Sequence, residues 1–315
     1  MKRGLWGLGV AFAIGAALTG CRGGPPQASN TKPTAPVARG KLPAYSEVAQ
    51  AYNARVAPLE KLWTRGTVRV WYPNEQGEQQ VEQLEIHFQL IRPSRMLLTL
   101  EKATETVAVL GSNETQYWWI ELGKEKKAYV GEHAKASSAR VAELGLPVHP
   151  LDLVEVMGVT PLPTAWSATS PGEAPHMRWS DDGTKLLVTV LGRNGPRRLW
   201  LDPATYEPSR IELMGRAMKP AVSAELTNFV KVEARPDPNG PVISGRLPTQ
   251  FMATIDKEGG GSKGRVQMRL RLGDPEVGGK RPKPGAFVFE SLLEAYGIKE
   301  PVLLDDVQQA PAIGQ

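Results

Sequence analysis

The feature that most constrains this fold is a two-residue alternation of apolar and polar side chains, repeated along most of the chain. In "VEQLEIHFQLIRP", large apolar side chains stand at every second position from Leu84 to Leu90, with Glu, His and Gln between them. Successive side chains of a strand point to opposite faces, so this pattern is typical of a strand with one buried face and one wet face. Similar runs, among them "GTVRVWYP", "RMLLTLEK", "KLLVTVLG" and "GRVQMRLRL", are separated by turn residues. The sequence therefore predicts a large antiparallel sheet.

Helical patterns interrupt the strands near the start, the middle and the end of the chain. Residues 44–63 carry an apolar stripe at helical spacing, which Pro58 is expected to kink or interrupt. That stripe consists of Val48, Tyr52, Val56, Leu59 and Trp63. Further helices are predicted over 133–146, 149–158 and 289–297. A sheet of about ten or more strands must curl, and helices can cover its concave side. The predicted fold class is α+β, a single large curved antiparallel sheet (an incomplete barrel) with helices covering the concave face.

The N-terminal residues predict export and lipid attachment. Lys2 and Arg3 precede an apolar run of about 15 residues, which is shorter than the roughly 20 that cross a bilayer as a helix. The run ends in "LTGC", which resembles the bacterial lipobox and contains Cys21, the only cysteine. This resemblance implies cleavage before Cys21 and its acylation by palmitate-type chains. An ordinary signal peptide, or an uncleaved anchor with a chance cysteine, is the alternative. Arg22, rather than aspartate, follows the cysteine and favours the outer membrane.

The domain boundaries follow from composition. Residues 1–20 are predicted to be a signal peptide, and residues 21–43 a tether with five prolines and almost no large apolar side chains. As a loose coil the tether would span roughly 25 Å. Residues 44–298 are predicted to form one β-rich domain, followed by a disordered tail over 299–315. Loss of Lys2 and Arg3 leaves 36 basic against 33 acidic side chains. This excess of 3 is too small to predict a nucleic-acid partner.

Sequence motifs of catalysis and metal binding are either absent or lack the structural setting that their mechanism requires. Ser262 in "GGSKG" fits the G-x-S-x-G pattern, but that mechanism needs a strand-turn-helix elbow and a later histidine. All four histidines precede Ser262, so a hairpin tip is favoured. The histidines are isolated in the sequence, and a structural or solvated role is predicted for each: His87, His133, His149 and His176. No H-E-x-x-H or C-x-x-C occurs, and "GDPEVGGK" misses the P-loop spacing. The sequence predicts no enzyme, no metal and no cofactor.

Two neighbouring tryptophans allow a test of the strand prediction. Trp118 and Trp119 lie in "TQYWWIEL" and would point to opposite faces of a strand. One of them is expected in the core, and the other is expected to be partly exposed or covered by a helix. Either could alternatively form the wall of an apolar pocket, although aromatic side chains in sheets usually serve packing.

The layout as a whole resembles the LolA/LolB-like bacterial envelope lipoproteins. The resemblance is carried by the lipobox, the tether, an opening helix running into "LWTRGTVRVWYP", and a strand meander with inserted helices. "LWLDPATYEPSRIEL" and the late "PGAFVFESLLEAYGI" also resemble segments of that superfamily. The resemblance covers about residues 44–298 and is one of pattern. It implies an incompletely closed barrel whose concave face is plugged by helices. Family members carry or receive the acyl chains of lipoproteins, or sense related envelope ligands.

The resemblance implies a membrane-anchored lipoprotein that binds acyl chains or lipoproteins in an apolar cavity, on the periplasmic face of the outer membrane. Its expected partners are the membrane, through the acylated N-terminus, and lipoproteins or acyl chains. Alternatives are a protein-interaction or sensor module on the same scaffold, and an enzyme of unrecognised type. "GVTPLPTAW" (158–166) is the nearest candidate for an exposed insertion loop, and a buried connection explains it equally well. Alternation selects nine cavity candidates, which would serve equally as a closed core: Val68, Val70, Leu84, Ile86, Phe88, Leu90, Met96, Leu98 and Leu100.

Overall fold

The fold is described from a computed structural model of the chain. It describes seven stretches: residues 40–73, 77–135, 149–165, 174–215, 218–237, 239–256 and 265–304. The predictions for the signal peptide, for Cys21 and for most of the tether lie outside these residues. So do Ser262, Trp166, most of the helix predicted over 133–146, and the tail from residue 305. In the described stretches, no helix is long and apolar enough to cross a membrane.

Fifteen strands and three α-helices are formed by the described residues. The helices are α1 (Tyr45–Val56), α2 (Pro150–Val156) and α3 (Phe289–Tyr296). The strands are β1 (Lys61–Pro73), β2 (Gln79–Ile91), β3 (Arg95–Lys102), β4 (Glu105–Ser112), β5 (Gln116–Leu122), β6 (Lys126–Glu132), β7 (His176–Trp179), β8 (Leu186–Gly192), β9 (Gly195–Leu201), β10 (Pro208–Met214), β11 (Pro220–Ala234), β12 (Ile243–Asp256), β13 (Arg265–Leu272), β14 (Glu276–Val277) and β15 (Val302–Leu303).

All fifteen strands belong to one open sheet. Its order is β15-β6-β5-β4-β3-β2-β1-β13-β12-β11-β10-β9-β8-β7, and β14 also pairs with β1. Two meanders, β1–β6 and β7–β13, are thus joined where β1 pairs with β13. The pairings are antiparallel except that of β15, which runs parallel to β6. The predicted fold class, an α+β protein with one large curved sheet that is not closed into a barrel, is confirmed.

The position of α2 shows how strongly the sheet curves. This seven-residue helix contacts β3 and β4 in the first meander and β10 and β11 in the second. In the sheet order β4 and β10 are seven strand spacings apart, which in a flat sheet would be about 34 Å. A helix of this length is only about 10 Å long. The sheet must therefore wrap around α2, with the helix on its concave side.

Two apolar clusters occupy the two faces of the sheet. The larger one joins α1, α2 and the inward-facing side chains of both meanders, and is called the inner face below. The smaller one lies on the outer face, where α3 and the preceding turn cover β3–β6. Trp119 belongs to the inner cluster, whereas Trp118 lies on the outer face, 5.4 Å from the ring of Phe289. The predicted split of this pair is confirmed, and the third helix lies on the opposite face from α1 and α2.

The opening helix ends earlier than its apolar stripe predicts. Pro58 lies in a 3₁₀ turn that follows α1, and β1 begins at Lys61. The stripe from Val48 to Leu59 is fully buried, as expected. Trp63 does not continue it, because proline removes a backbone donor and the chain turns into β1 instead. Trp63 consequently lies in a strand, half-buried on its outer face.

The C-terminal part of the described chain adds a strand. Val302 and Leu303 pair with Tyr129 and Val130 of β6, and Leu304 is buried. Folded structure therefore extends past residue 298, into the first residues of the predicted tail.

Candidate functional site: the covered inner face

All nine side chains predicted to line a cavity point to the inner face. Seven of them are buried members of its apolar cluster: Val68, Leu84, Ile86, Phe88, Leu90, Met96 and Leu98. Val70 and Leu100 are partly buried and pack against it. Ile86, Phe88, Leu90 and Met96 expose no surface, so no space large enough for water lies against them. The alternation thus identified the correct face, and a ligand-binding role for these residues stays a prediction.

The second meander contributes an equally apolar half of the same face. Pairing of β1 with β13 places Val68 beside Leu270 and Val70 beside Met268. Further inward-facing residues are Phe251, Ala253, Ala224, Ile211, Leu199 and Val188, which follow one another across the paired strands. None of these was among the sequence-predicted cavity residues, although their strands show the same alternation.

The inner face is covered by α1, by α2 and by the backbone that leaves α2, residues 158–163, called the connection below. Val159 and Leu162 of the connection are buried. This portion of "GVTPLPTAW" is therefore a buried connection. Proline at two of its positions leaves those residues without a backbone N–H, so the connection relies on side chains for hydrogen bonds.

Side chains of α1 hold most of the connection. The Tyr45 hydroxyl donates to Pro163 O at 2.7 Å, and the Tyr52 hydroxyl donates to Gly158 O at 3.1 Å. The Asn53 amide donates to Leu162 O at 2.9 Å and accepts from Leu162 N at 2.7 Å. Both hydroxyl and amide groups thereby satisfy backbone atoms that are removed from water. Burial raises the pKa of Tyr45 to about 12, so this hydroxyl remains a donor at neutral pH.

Three arginines also donate hydrogen bonds to carbonyl oxygens of the connection. Arg55 donates to Gly158 O at 2.7 Å and to Arg246 O on β12 at 3.0 Å. Arg92 donates to Val159 O at 3.1 Å, and Arg197 of β9 donates to Pro161 O at 2.9 Å. Burial lowers the pKa of both Arg55 and Arg92, but guanidinium groups stay charged. Sequence reasoning missed this set, because no local pattern marks an arginine whose partner is a distant carbonyl.

A second group of polar side chains lies where the two meanders approach each other across α2. This polar cluster consists of Tyr117 of β5, His133 after β6, His149 before α2, Asp152 of α2 and Arg193 of the β8–β9 turn. The His149 ring lies 4.4 Å from the Tyr117 ring and 5.4 Å from the His133 ring, between ring centroids. Arg193 Nη2 donates to Asp152 Oδ1 at 2.7 Å. The cluster thus links β5 and β6 to the β8–β9 turn without a strand pairing.

Burial, together with nearby charge, lowers the pKa of both histidines of the polar cluster. Burial, then the charge of Arg193 and the nearby His133, lowers the pKa of His149 to about 2. Burial also lowers the pKa of His133, whose Nε2 donates to Asn113 O at 2.9 Å. His149 Nδ1 accepts from Leu151 N at 3.1 Å and so caps α2. The structural role predicted for these two histidines agrees with these contacts.

Part of the inner face remains accessible at one end of the first meander. Val70 and Tyr72 near the end of β1, Leu100 near the end of β3, and Val107 near the start of β4 are half-buried against the inner cluster. These four residues are called the rim below. Lys102 Nζ lies 2.8 Å from Glu82 Oε1 beside the rim. Apolar molecules in solution can contact the rim without any movement of α1, α2 or the connection, which together form the cover of the inner face.

Comparisons with solved structures find resemblances at low sequence identity. The chain matches a LolA superfamily protein from Nitrosomonas europaea with a TM-score of 0.46 and 12% identity, over 79% of this chain and 100% of that chain. It matches an outer membrane lipoprotein-sorting protein domain from Vibrio parahaemolyticus with a TM-score of 0.49 and 13% identity, over 79% of this chain and 97% of that chain.

A DUF1329 family protein from Desulfovibrio piger gives a TM-score of 0.43 and 10% identity, over 78% of this chain and 98% of that chain. No protein-family model matches the chain, and no curated protein matches it significantly. LolA superfamily structures are thus among those that the chain resembles. The strand order described above, rather than these scores, defines the fold.

Proposed function

We propose that the protein is a lipid-anchored cell-envelope protein that binds acyl chains, of lipids or of lipoproteins, on the inner face of its sheet. The observation that carries the proposal is the composition of that face and its cover. The face is mainly apolar in both meanders, with Arg197 of β9 as a buried charged side chain, and two helices and the connection cover it. Binding without chemistry is proposed, and the lipobox at Cys21 would supply the anchor.

Binding against Ile86, Phe88, Leu90 and Met96 requires α1, α2 or the connection to move, because these four side chains expose no surface in this form. Acyl methylenes can then replace the helix side chains as apolar partners of the sheet, gaining about 0.8 kcal/mol each. The exchange loses the burial of the displaced helix side chains and also the hydrogen bonds to the connection, each of which is worth about 1 kcal/mol. The rim is the part of the face that an acyl chain can contact first.

The test is a titration with a fluorescent fatty-acid probe whose emission rises when it leaves water. The full chain carries Cys21→Ala, so that no acyl group is attached. We compare Leu100→Glu, at the rim, with Thr99→Glu, its neighbour on the opposite face of β3. Both native side chains are half-buried, so the two variants differ mainly in the face that receives the carboxylate.

We expect saturable binding by the parent and by Thr99→Glu, and at least tenfold weaker binding by Leu100→Glu, because a carboxylate resists burial beside methylenes. Far-UV circular dichroism and the thermal midpoint establish that both variants are folded. Equal binding by the two folded variants, or no saturable binding by the parent, would overturn the proposal. The latter result would favour the protein-interaction module instead.

A further inference from the structure

The outer face of the sheet carries a cluster of arginines that the acyl-binding proposal does not use. The register of β1 and β13 places Arg69 directly opposite Arg269, and Arg271 opposite Thr67. Arg65 lies on the same side of β1, and Arg281 follows from the loop after β14. These five exposed residues, Arg65, Arg69, Arg269, Arg271 and Arg281, are called the basic face below. Their strand neighbours Val68 and Leu270 point inward.

Glu85 of β2 lies on the same outer face, opposite Thr67, but the arginines of the basic face form no close ion pair within the described part of the chain. No ion pair within 4.0 Å joins any of its five arginines to a described carboxylate, although other exposed cations such as Arg95 and Lys102 are paired. Arg69 donates to the neutral Gln83 Oε1 at 2.7 Å. Like charges directly opposite each other destabilise a sheet. Arg69 and Arg269 nevertheless lie opposite each other on the exposed outer face, where an external partner of opposite charge would relieve their repulsion.

The rings of two tryptophans, Trp63 and Trp71, lie close to three of the guanidinium groups. The guanidinium carbons of Arg281 and Arg65 lie 4.7 Å and 5.5 Å from the centroid of the Trp63 ring. The ring of Trp71 carries Arg269 at 5.6 Å. Stacking on an indole restrains a guanidinium while leaving its N–H groups free to bind oxygens in pairs. Arginine in this state matches phosphate, and tryptophan is favoured where water meets lipid.

We propose that the basic face docks the domain onto an anionic phospholipid bilayer, with guanidinium groups bound to headgroup phosphates. Arg65 and Arg69 are about 13 Å apart along β1, so the cations are spread over an open sheet surface. That spread suits many phosphates in a plane better than one phosphate in a pocket. The inference stands on the outer face alone and is independent of the acyl-binding proposal. An acylated Cys21 would only hold the basic face close to such a bilayer.

The test is co-sedimentation with vesicles of phosphatidylcholine, with or without phosphatidylglycerol, using the full chain with Cys21→Ala. Binding through the apolar N-terminal run is common to all variants and to neutral vesicles, and is subtracted. The variant Arg69→Gln/Arg269→Gln/Arg271→Gln removes three charges from the basic face. The matched control, Lys124→Gln/Lys219→Gln/Lys299→Gln, removes three exposed charges elsewhere.

After this subtraction, we expect the remaining binding to be confined to the anionic vesicles, to weaken with added salt, and to be at least about tenfold weaker for the arginine variant than for the control. Equal binding to both vesicle types, or equal losses in the two variants, would overturn the proposal. Displacement by inorganic phosphate at matched ionic strength would also overturn it, in favour of a free-phosphate site. The fatty-acid probe should bind the arginine variant normally, which separates a failure here from a failure of the acyl-binding proposal.

Discussion

At the scale of single residues, His149 is a buried side chain whose pKa is strongly lowered. Its pKa falls from 6.5 to about 2, first through burial and then through Arg193 and His133. Between these two values the unfolded chain binds a proton that the folded protein excludes, so stability is lost as pH falls below about 6.5. By pH 5 the loss from this one group is about 2 kcal/mol.

The variant His149→Asn keeps an oxygen that can cap α2 and removes the titration. We expect its free energy of unfolding, measured in urea, to fall by about 2 kcal/mol less than that of the parent between pH 7.5 and pH 5. His176→Asn, at an exposed position on β7, is the control and should follow the parent. Identical pH slopes for the parent and His149→Asn would contradict the prediction. Burial also lowers the pKa of His133 and raises that of Glu155, so the comparison rests on the difference between variants.

At the scale of elements, the cover is joined to the sheet by close backbone approach as well as by side chains. A Cβ on Gly245 of β12 would lie 2.1 Å from Arg55 O at the end of α1. Glycine is therefore required where α1 meets β12. The connection, in contrast, is bound through hydrogen bonds from side chains to its carbonyl oxygens. A single substitution can remove one of these hydrogen bonds and so loosen the connection.

Tyr45→Phe tests whether loosening the connection eases ligand entry. The change keeps the ring and removes the hydrogen bond to Pro163 O, which should lower the free energy of unfolding by about 1 kcal/mol. If the cover opens for binding, the same variant should bind the fatty-acid probe severalfold more tightly, as shown by fluorescence titration. Unchanged or weaker binding in a folded variant would show that the connection does not control entry.

At the scale of the whole molecule, α2 packs against strands of both meanders, whereas α3 packs against strands of the first meander. Leu153 of α2 is buried in the inner cluster, whose strands come from both halves of the sheet. Phe289 of α3 is buried in the outer cluster, whose described strand residues all come from the first meander. Leu153→Ala and Phe289→Ala should each lower the free energy of unfolding by about 2–5 kcal/mol. The two variants should differ in which strands are destabilised.

Hydrogen exchange measured along the chain distinguishes the two cases. Leu153→Ala should reduce amide protection in β3 and β4 and also in β10 and β11, because α2 contacts all four strands. Phe289→Ala should reduce protection in β3–β6 and leave β10 and β11 as in the parent. Loss confined to one meander in Leu153→Ala would refute the idea that α2 couples the two halves.

The sequence by itself determined the local features of this protein. Side-chain alternation is imposed by strand geometry, so the inward face of β2 and β3 could be assigned from Leu84 to Leu100 without coordinates. Proline removes a backbone donor, so an interruption of the helical pattern at Pro58 could also be predicted, although the strand that begins at Lys61 could not. The opposite faces of Trp118 and Trp119 followed from the same geometry.

Tertiary structure alone decided which elements meet. The pairing of β1 with β13 joins residues about 200 positions apart, and it assembles Arg69 and Arg269 into one basic face. The hold of Arg55 and Arg197 on the connection, the polar cluster around His149, and the side of the sheet taken by α3 depend equally on distant partners. Periodicity states which side of a strand is apolar, because that is a property of neighbours along the chain. Periodicity does not predict which strands pair, because long-range pairing is selected by the packing of the whole sheet.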